Sequence, residues 1–226
     1  MLLNIQVPGE VSRNHPGIRK IGVVKTGKML IEKAAKFAGV DSLADKCVLD
    51  IGCGTRFTSA IINKKIPIKN YTGIDVYKPV IDYLKTNVEP FDERFNYAHW
   101  DVVNALYNEN GMPFSGEALL PIDRTNKFDL IWMFSVITHQ APEEAVTLFK
   151  VLKKYIKNDG SMVFTAFIEK DVENFIDVNK DQPLMVAQFD YDFMIALLDE
   201  AGWEVKSTHS PEWGSLHQFC FVCQLK

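Results

Sequence analysis

Short apolar segments alternate with longer segments of helical periodicity along most of this 226-residue chain. The periodicity predicts strands over residues 48–51, 71–74, 95–100, 128–134, 161–168, 203–208 and 217–224, and helices near 56–64, 79–87, 142–157 and 190–200. Alternation at this spacing gives right-handed βαβ units, and therefore a mostly parallel sheet with helices on both faces. The last two strands have no helix between them, so we expect an antiparallel pair. The sequence predicts a doubly wound α/β fold with a seven-stranded sheet.

Residues 41–226 are predicted to form this domain, and residues 1–40 to form an N-terminal arm and helix. Two Pro-Gly pairs predict an irregular arm over 1–25, and Thr26 is the expected cap of a helix over 27–38. Residues 1–40 carry seven Lys and Arg against two acidic residues, although the whole chain has a net charge of −4. We interpret this segment either as a solvated helix face with a flexible arm, or as a lid over an anionic substrate.

Charge, hydropathy and cysteine content exclude several classes of protein. A mildly acidic chain lacks the positive field typical of nucleic-acid binding. No secretory signal follows Met1, and the longest apolar run, 130–134, is too short to cross a bilayer. Four cysteines in a chain of this size indicate reduced thiols in a cytoplasmic protein. Cys220 and Cys223 have the spacing of zinc ligands, but in a strand they face opposite sides, so we expect no metal site.

The most informative motif is the first predicted βα turn, Val48-Leu49-Asp50-Ile51-Gly52-Cys53-Gly54-Thr55. Ligands of parallel sheets bind beyond the carboxyl ends of the strands. There Gly52 and Gly54 let a ligand approach the backbone, and the next helix presents its free N–H groups. Asp75 ends the following predicted strand, where a carboxylate can accept both hydroxyls of a ribose. The pattern predicts an adenosine ligand, either NAD or S-adenosylmethionine.

Two features of this turn favour S-adenosylmethionine. The NAD fingerprint requires a third glycine where this chain has Phe57. Asp50 also places an acid near the expected pyrophosphate, whereas a sulfonium with an ammonium group meets no such repulsion. An NAD-linked oxidoreductase remains the alternative enzyme. Residues 22–29 nearly match a P-loop, but Met29 replaces the hydroxyl that holds Mg²⁺, so triphosphate binding is not predicted.

At these residues the sequence resembles the class I S-adenosylmethionine-dependent methyltransferases, over about residues 44–226. Residues 50–55 match the family's first motif, and residues 73–75 match its ribose-binding strand end. Residues 99–102 look like the segment that holds adenine, where Asp101 accepts from the exocyclic amine, and residues 128–139 resemble the fourth strand and the loop beside the methyl group. The resemblance implies a Rossmann-like methyltransferase fold and a cofactor site of Asp50, Gly52, Cys53, Gly54, Asp75, Val76, Asp101, Val102 and Ser135.

Each acid in that set has an ordinary structural alternative. Asp50 is also suited to capping the loop that follows it, and Asp101 to capping a helix. Asp75 is also consistent with an ordinary acidic residue at the end of a strand, with no ligand. Arg56 stands where many members of the family carry a third glycine. It either pairs with the cofactor carboxylate, points to solvent, or marks the weakened binding of a catalytically inactive methyltransferase-like binding protein.

His139 is the candidate catalytic residue, because the resemblance places it after the fourth strand, beside the methyl group. Imidazole titrates near neutral pH and can deprotonate a hydroxyl acceptor. The alternative is a half-buried histidine that donates to backbone. Aromatic residues in and near segments 1–40, 104–127 and 169–188 favour a small-molecule acceptor, a hydroxyl or an amine. They are Tyr107, Phe114, Trp132, Phe167, Phe175 and Trp213.

Overall fold

The computed structural model describes residues 4–12, 14–115, 119–125, 127–179, 181–211 and 217–226. The chain forms two compact units, residues 1–99 and residues 100–226. Trp213, proposed above as part of the acceptor pocket, lies outside the described residues. Among the residues that are described, no helix has both the length and the apolar character needed to cross a membrane.

The first unit contains a three-stranded parallel sheet. Its elements are α1 (Pro16–Ile21), α2 (Val23–Phe37), β1 (Cys47–Ile51), α3 (Arg56–Asn63), β2 (Asn70–Asp75), α4 (Lys78–Asn87) and β3 (Phe95–His99). The strand order is β3-β2-β1, and Asp50 pairs in register with Gly73. Because both faces of a parallel strand are covered, β1 and β2 are almost continuously buried. All three strands predicted for this unit are confirmed.

The N-terminal segment is more regular than predicted. The prediction of an irregular arm to residue 25 is wrong beyond residue 15, because α1 and the first turn of α2 lie there. Gly22 separates the two helices with a φ of 109°, which favours glycine. Thr26 lies inside α2 and donates its hydroxyl to the Gly22 carbonyl at 2.9 Å, so it is not a cap. The residues that nearly match a P-loop are therefore helical.

The beginning of the arm is fixed to the first unit. Ile5 is buried, and its backbone exchanges two hydrogen bonds with the Asn63 side chain, at 2.7 Å from Ile5 N–H to Oδ1 and 2.9 Å from Nδ2 to the Ile5 carbonyl. The Tyr83 hydroxyl on α4 donates to the Gln6 carbonyl at 3.1 Å. Residues 4–6 are therefore attached at the end of α3 and on α4.

The second unit combines parallel and antiparallel strands. Its elements are β4 (Phe128–Met133), a 3₁₀ turn (Ile137–His139), α5 (Pro142–Leu152), β5 (Ile156–Ile168), β6 (Phe175–Asp177), β7 (Ala187–Phe189), α6 (Tyr191–Glu200), β8 (Trp203–His209) and β9 (Phe219–Leu225). β4 and β5 are parallel, and β9 runs antiparallel to both β5 and β8. The predicted antiparallel C-terminal pair and the α/β fold are confirmed.

Two differences from the prediction occur in this unit. β5 begins at Ile156 instead of 161, because residues 158–160 continue the strand past a register shift opposite β4. β6 and β7 are two additional strands within segment 169–188, and they form an antiparallel pair. Three-residue strands are too short to show periodicity in a sequence. β6 and β7 are stabilised by packing of Phe175 on Phe189, whose ring centroids are 5.1 Å apart.

All four cysteines are free thiols. Cys220 and Cys223 are buried in β9, and burial raises the pKa of the Cys220 thiol to about 12 and that of Cys223 further still. Metal ions bind thiolates, so thiols held in the protonated form are poor ligands.

Candidate functional site

The turn after β1 folds back on the end of β2. Gly52 and Gly54 have φ values of 67° and 46°, a region that favours glycine. The Gly52 and Cys53 N–H groups donate to the Ile74 carbonyl at 2.8 and 3.1 Å, and Gly54 N–H donates to Asp75 Oδ2 at 2.9 Å. Three successive N–H groups of the turn are therefore engaged within the protein.

The Asp75 carboxylate at the end of β2 is held by two backbone donors. Oδ2 accepts from Gly54 N–H, and Oδ1 accepts from Tyr77 N–H at 2.8 Å. Each carboxylate oxygen accepts more than one hydrogen bond, so both keep the capacity to accept a hydroxyl. The neighbouring Val76 carbonyl accepts from His99 Nε2 at 3.1 Å. This arrangement fixes the carboxylate in orientation and suits the two hydroxyls of a ribose.

Asp50 lies under the turn and is 1% exposed, so it has almost no surface for direct ligand contact. The Tyr71 hydroxyl on β2 donates to Asp50 Oδ2. Burial raises the pKa of Asp50 to about 8; the Tyr71 hydrogen bond opposes this shift, and the negative charge of Asp75 adds to it. The Asp50 carboxyl group is therefore mostly protonated at neutral pH. Sequence reasoning missed Tyr71, although a buried tyrosine hydroxyl and a buried acid both require partners.

Thr55 and Arg56 follow the turn at the start of α3. Arg56 Nε donates to Thr26 Oγ1 on α2 at 3.2 Å. Within the described part of the chain, Thr55 Oγ1 and Arg56 Nη2 are buried and have no hydrogen-bond partner. Burial lowers the pKa of Arg56 to about 10, which leaves it a cation at neutral pH. Arg56 therefore does not point to solvent, and the two groups have unused capacity for an anion such as a carboxylate.

The same geometry is unfavourable for a dinucleotide. A pyrophosphate binds to free N–H groups of a glycine-rich turn and to the helix that follows it. Here the N–H groups of the turn are used by Ile74 and Asp75, and Phe57 is buried where the third glycine of that fingerprint would stand. S-adenosylmethionine carries no phosphate, so this arrangement accommodates it better.

In the second unit, Asp101 and Val102 belong to a compact turn. Asn108 Nδ2 donates to Asp101 Oδ1 and to the Val102 carbonyl, both at 3.0 Å. Gly111 packs against Val102 so closely that a Cβ atom would lie 2.3 Å from its carbonyl carbon. Residues 102–115, which follow Asp101 directly, contain no helix, so the helix-capping alternative is wrong. Asp101 itself is exposed and accessible to a ligand amine.

Ser135 and His139 follow β4. Ser135 has a φ of 57°, its N–H donates to Thr165 Oγ1 at 2.9 Å, and its hydroxyl lies 3.3 Å from Gln218 Oε1. His139 Nδ1 lies 3.1 Å from the Leu184 carbonyl. Burial lowers the pKa of His139 and favours the neutral ring, whereas backbone hydrogen bonds to Leu184 and Met185 oppose this shift. The backbone contact of the structural alternative is therefore present, and the chemical role of the ring stays a prediction.

The fold and the turn after β1 together define an α/β protein of the class I S-adenosylmethionine-dependent methyltransferase type. The chain belongs to the methyltransferase domain family, whose model matches residues 49–162, about half of the sequence. This confirms the resemblance inferred from residues 50–55 and 73–75.

Several solved structures share the fold. Burkholderia thailandensis 1,6-didemethyltoxoflavin-N1-methyltransferase, with bound 1,6-didemethyltoxoflavin and S-adenosylhomocysteine, has 16% identity and a TM-score of 0.63 over 93% of this chain and 81% of its own. The glycopeptide N-methyltransferase MtfA, complexed with S-adenosylmethionine, has 10% identity and a TM-score of 0.59 over 89% of this chain and 95% of its own. The pyocyanin biosynthetic protein PhzM has 13% identity and a TM-score of 0.59 over 89% of this chain, which spans 55% of the length of PhzM.

Proposed function

We propose that this protein transfers the methyl group of S-adenosylmethionine to a hydroxyl or amine of a small molecule. The main supporting observation is that Gly54 and Tyr77 N–H orient the Asp75 carboxylate, while the N–H groups of the turn that a pyrophosphate would need donate to Ile74 and Asp75. When bound, the cofactor supplies an electrophilic methyl group, and the electrons of its carbon–sulfur bond leave with sulfur as the acceptor's lone pair bonds to carbon. The protein's main contribution is alignment of the reacting atoms.

Several residues of the first unit are assigned to cofactor binding. Asp75 holds the ribose hydroxyls, and the Gly52-Cys53-Gly54 turn provides the surface against which the ligand lies. Asp50, buried beside the turn, joins β1 to β2 through its hydrogen bond with Tyr71. Arg56 and Thr55, with their unused hydrogen-bonding groups, suit the carboxylate of the amino-acid end. The family resemblance supports the remaining contacts, made by Val76, Asp101, Val102 and Ser135.

His139 is the proposed base for an acceptor that must lose a proton. Its neutral ring has one nitrogen able to accept, and the edge of Tyr107 lies against it, with ring centroids 6.2 Å apart. A small-molecule acceptor is supported by this aromatic surrounding, by the net charge of −4, and by the small molecule bound in the Burkholderia thailandensis enzyme. The four free thiols support a cytoplasmic location.

Calorimetric titration of the purified protein with S-adenosylmethionine, S-adenosylhomocysteine and NAD tests the cofactor assignment. We expect micromolar affinity for the first two ligands and none for NAD. Binding of NAD alone would overturn the proposal in favour of an NAD-linked oxidoreductase. Binding of S-adenosylmethionine with no methyl transfer to any of a broad panel of phenols, alcohols and amines would indicate a catalytically inactive binding protein.

A further inference from the structure

The segment that contains β6 and β7 carries the hydrogen-bond partner of His139. His139 Nδ1 lies 3.1 Å from the Leu184 carbonyl, 45 residues later in the chain. A carbonyl oxygen can only accept a hydrogen bond, so Nδ1 must carry the proton. In a neutral imidazole Nε2 is then the unprotonated nitrogen. This contact therefore selects one of the two tautomers of the ring.

Leu184 presents that carbonyl from an uncommon backbone conformation. Its φ is 59°, a region in which residues other than Gly, Asn and Asp are infrequent. Asp177, the last residue of β6, accepts from Leu184 N–H at its Oδ2 atom, at a distance of 2.8 Å. The other oxygen of Asp177 accepts from Asn179 N–H at 3.3 Å. One carboxylate therefore closes the loop and holds Leu184 in its conformation.

Backbone hydrogen bonds on either side support the same loop. Asp177 pairs with Ala187 in the β6–β7 ladder, and Val178 N–H donates to the Val186 carbonyl at 3.0 Å. The Asp177 side chain spans the interior of this closed loop to reach Leu184. Met185 N–H donates to the Gln182 carbonyl at 3.1 Å in the same loop, and the Asp177 carboxylate is the side chain that holds Leu184 itself.

We propose that Asp177 is a positioning residue which, through Leu184, holds His139 as the Nδ1–H tautomer and keeps Nε2 ready to accept a proton. This inference rests on the proposed function. In the step it serves, the O–H or ring N–H bond of the acceptor breaks, its electron pair stays on the acceptor atom, and the proton bonds to Nε2. The imidazolium keeps its Nδ1–H bond to Leu184 and later releases the Nε2 proton to water. The arrangement therefore selects an acceptor that must be deprotonated, a phenol or a heteroaromatic N–H.

The tautomer of His139 is measurable without an acceptor. Long-range ¹H–¹⁵N correlation spectra of ¹⁵N-histidine-labelled protein distinguish a protonated from an unprotonated ring nitrogen. We expect wild type to show an unprotonated Nε2. Asp177→Ala should move the tautomer ratio toward Nε2–H by roughly fivefold, the effect of one lost hydrogen bond. Asp177→Asn retains an acceptor oxygen and should stay close to wild type.

Asp181→Ala is the matched control, because it removes an exposed carboxylate from the same segment. Circular dichroism establishes that each variant is folded. A folded Asp177→Ala protein with the wild-type tautomer would overturn the inference while leaving the proposed function intact. Should wild type fail to bind S-adenosylhomocysteine by calorimetry, the proposed function fails instead, whatever the tautomer measurement shows.

A methyl-transfer assay tests the role of His139 as a base and of Asp177 as its positioning residue. With radiolabelled S-adenosylmethionine and a panel of phenols and primary alkylamines, we expect turnover of phenols only. His139→Ala should lower kcat by about a hundredfold and Asp177→Ala by up to about fivefold, with the KM for S-adenosylmethionine unchanged. Turnover of alkylamines alone, undiminished in His139→Ala, would overturn the assignment of the acceptor class.

Discussion

Replacement of Asp50 by Asn should change how the stability of the protein depends on pH. The Asp50 carboxyl is buried, it accepts from the Tyr71 hydroxyl, and burial raises its pKa from the ordinary 3.8 to about 8. Asn retains the volume and an oxygen that accepts from Tyr71, but it cannot ionise. The substitution therefore isolates the cost of placing a charge at this position.

The direction in which stability changes with pH follows from the raised pKa of Asp50. Between about pH 4 and pH 8 the folded protein holds a proton on Asp50 that the unfolded chain has released. Folding takes up this proton, so the contribution of Asp50 to stability falls as pH rises, by about 1.4 kcal/mol per pH unit. From pH 6 to pH 8 the loss is about 2 kcal/mol, because the folded state itself begins to ionise near the upper limit.

Urea unfolding at pH 6 and pH 8 measures this difference. Between pH 6 and pH 8, the free energy of unfolding of Asp50→Asn should fall by about 2 kcal/mol less than that of wild type. This difference corresponds to roughly 5 °C in the thermal midpoint. Histidines and other groups titrate equally in both proteins and cancel in the comparison. Asp41→Asn, which removes an exposed carboxylate, should behave like wild type. Parallel losses in wild type and Asp50→Asn would show that Asp50 is already ionised in the fold and refute the reasoning.

Three further predictions follow from the first unit. Asp75→Ala should weaken S-adenosylhomocysteine binding by about 2–3 kcal/mol in calorimetry, since it removes a charge-assisted acceptor of two hydroxyls; unchanged affinity would contradict the ribose assignment. Gly27→Ala should lower stability by about 1–3 kcal/mol in urea unfolding, because its Cβ would lie 2.8 Å from an α3 methyl carbon, whereas Gly9→Ala meets nothing within 4 Å and should be nearly neutral. Asn63→Ala should cost about 1–2 kcal/mol and increase proteolysis before Ile5, since it removes both hydrogen bonds of the Ile5 backbone with Asn63; equal protection would show that burial of Ile5 and the Tyr83–Gln6 bond are sufficient.

Local sequence information was sufficient to predict the main strands of this protein and the α/β fold that they form. The seven predicted strands and the antiparallel C-terminal pair are present because apolar periodicity and turn residues act over a few neighbouring positions. Gly52, Gly54 and Asp75 are predicted as site residues for the same reason, since a strand, a glycine turn and a strand-end acid are visible within one βα unit, and the structure brings Gly54 and Asp75 into contact. The family model agrees with the motifs that these residues form.

Tertiary structure alone decided what several of these side chains do. Tyr71 meets Asp50 across 21 residues, Thr26 meets Arg56 across 30, and Leu184 meets His139 across 45. The pKa and the orientation of such side chains depend on burial and on partners distant in the chain. The strands β6 and β7 are three residues long and exist because they pair with each other and pack. Periodicity places a residue on an element, but its charge and its hydrogen-bond partner are fixed only when the elements have packed.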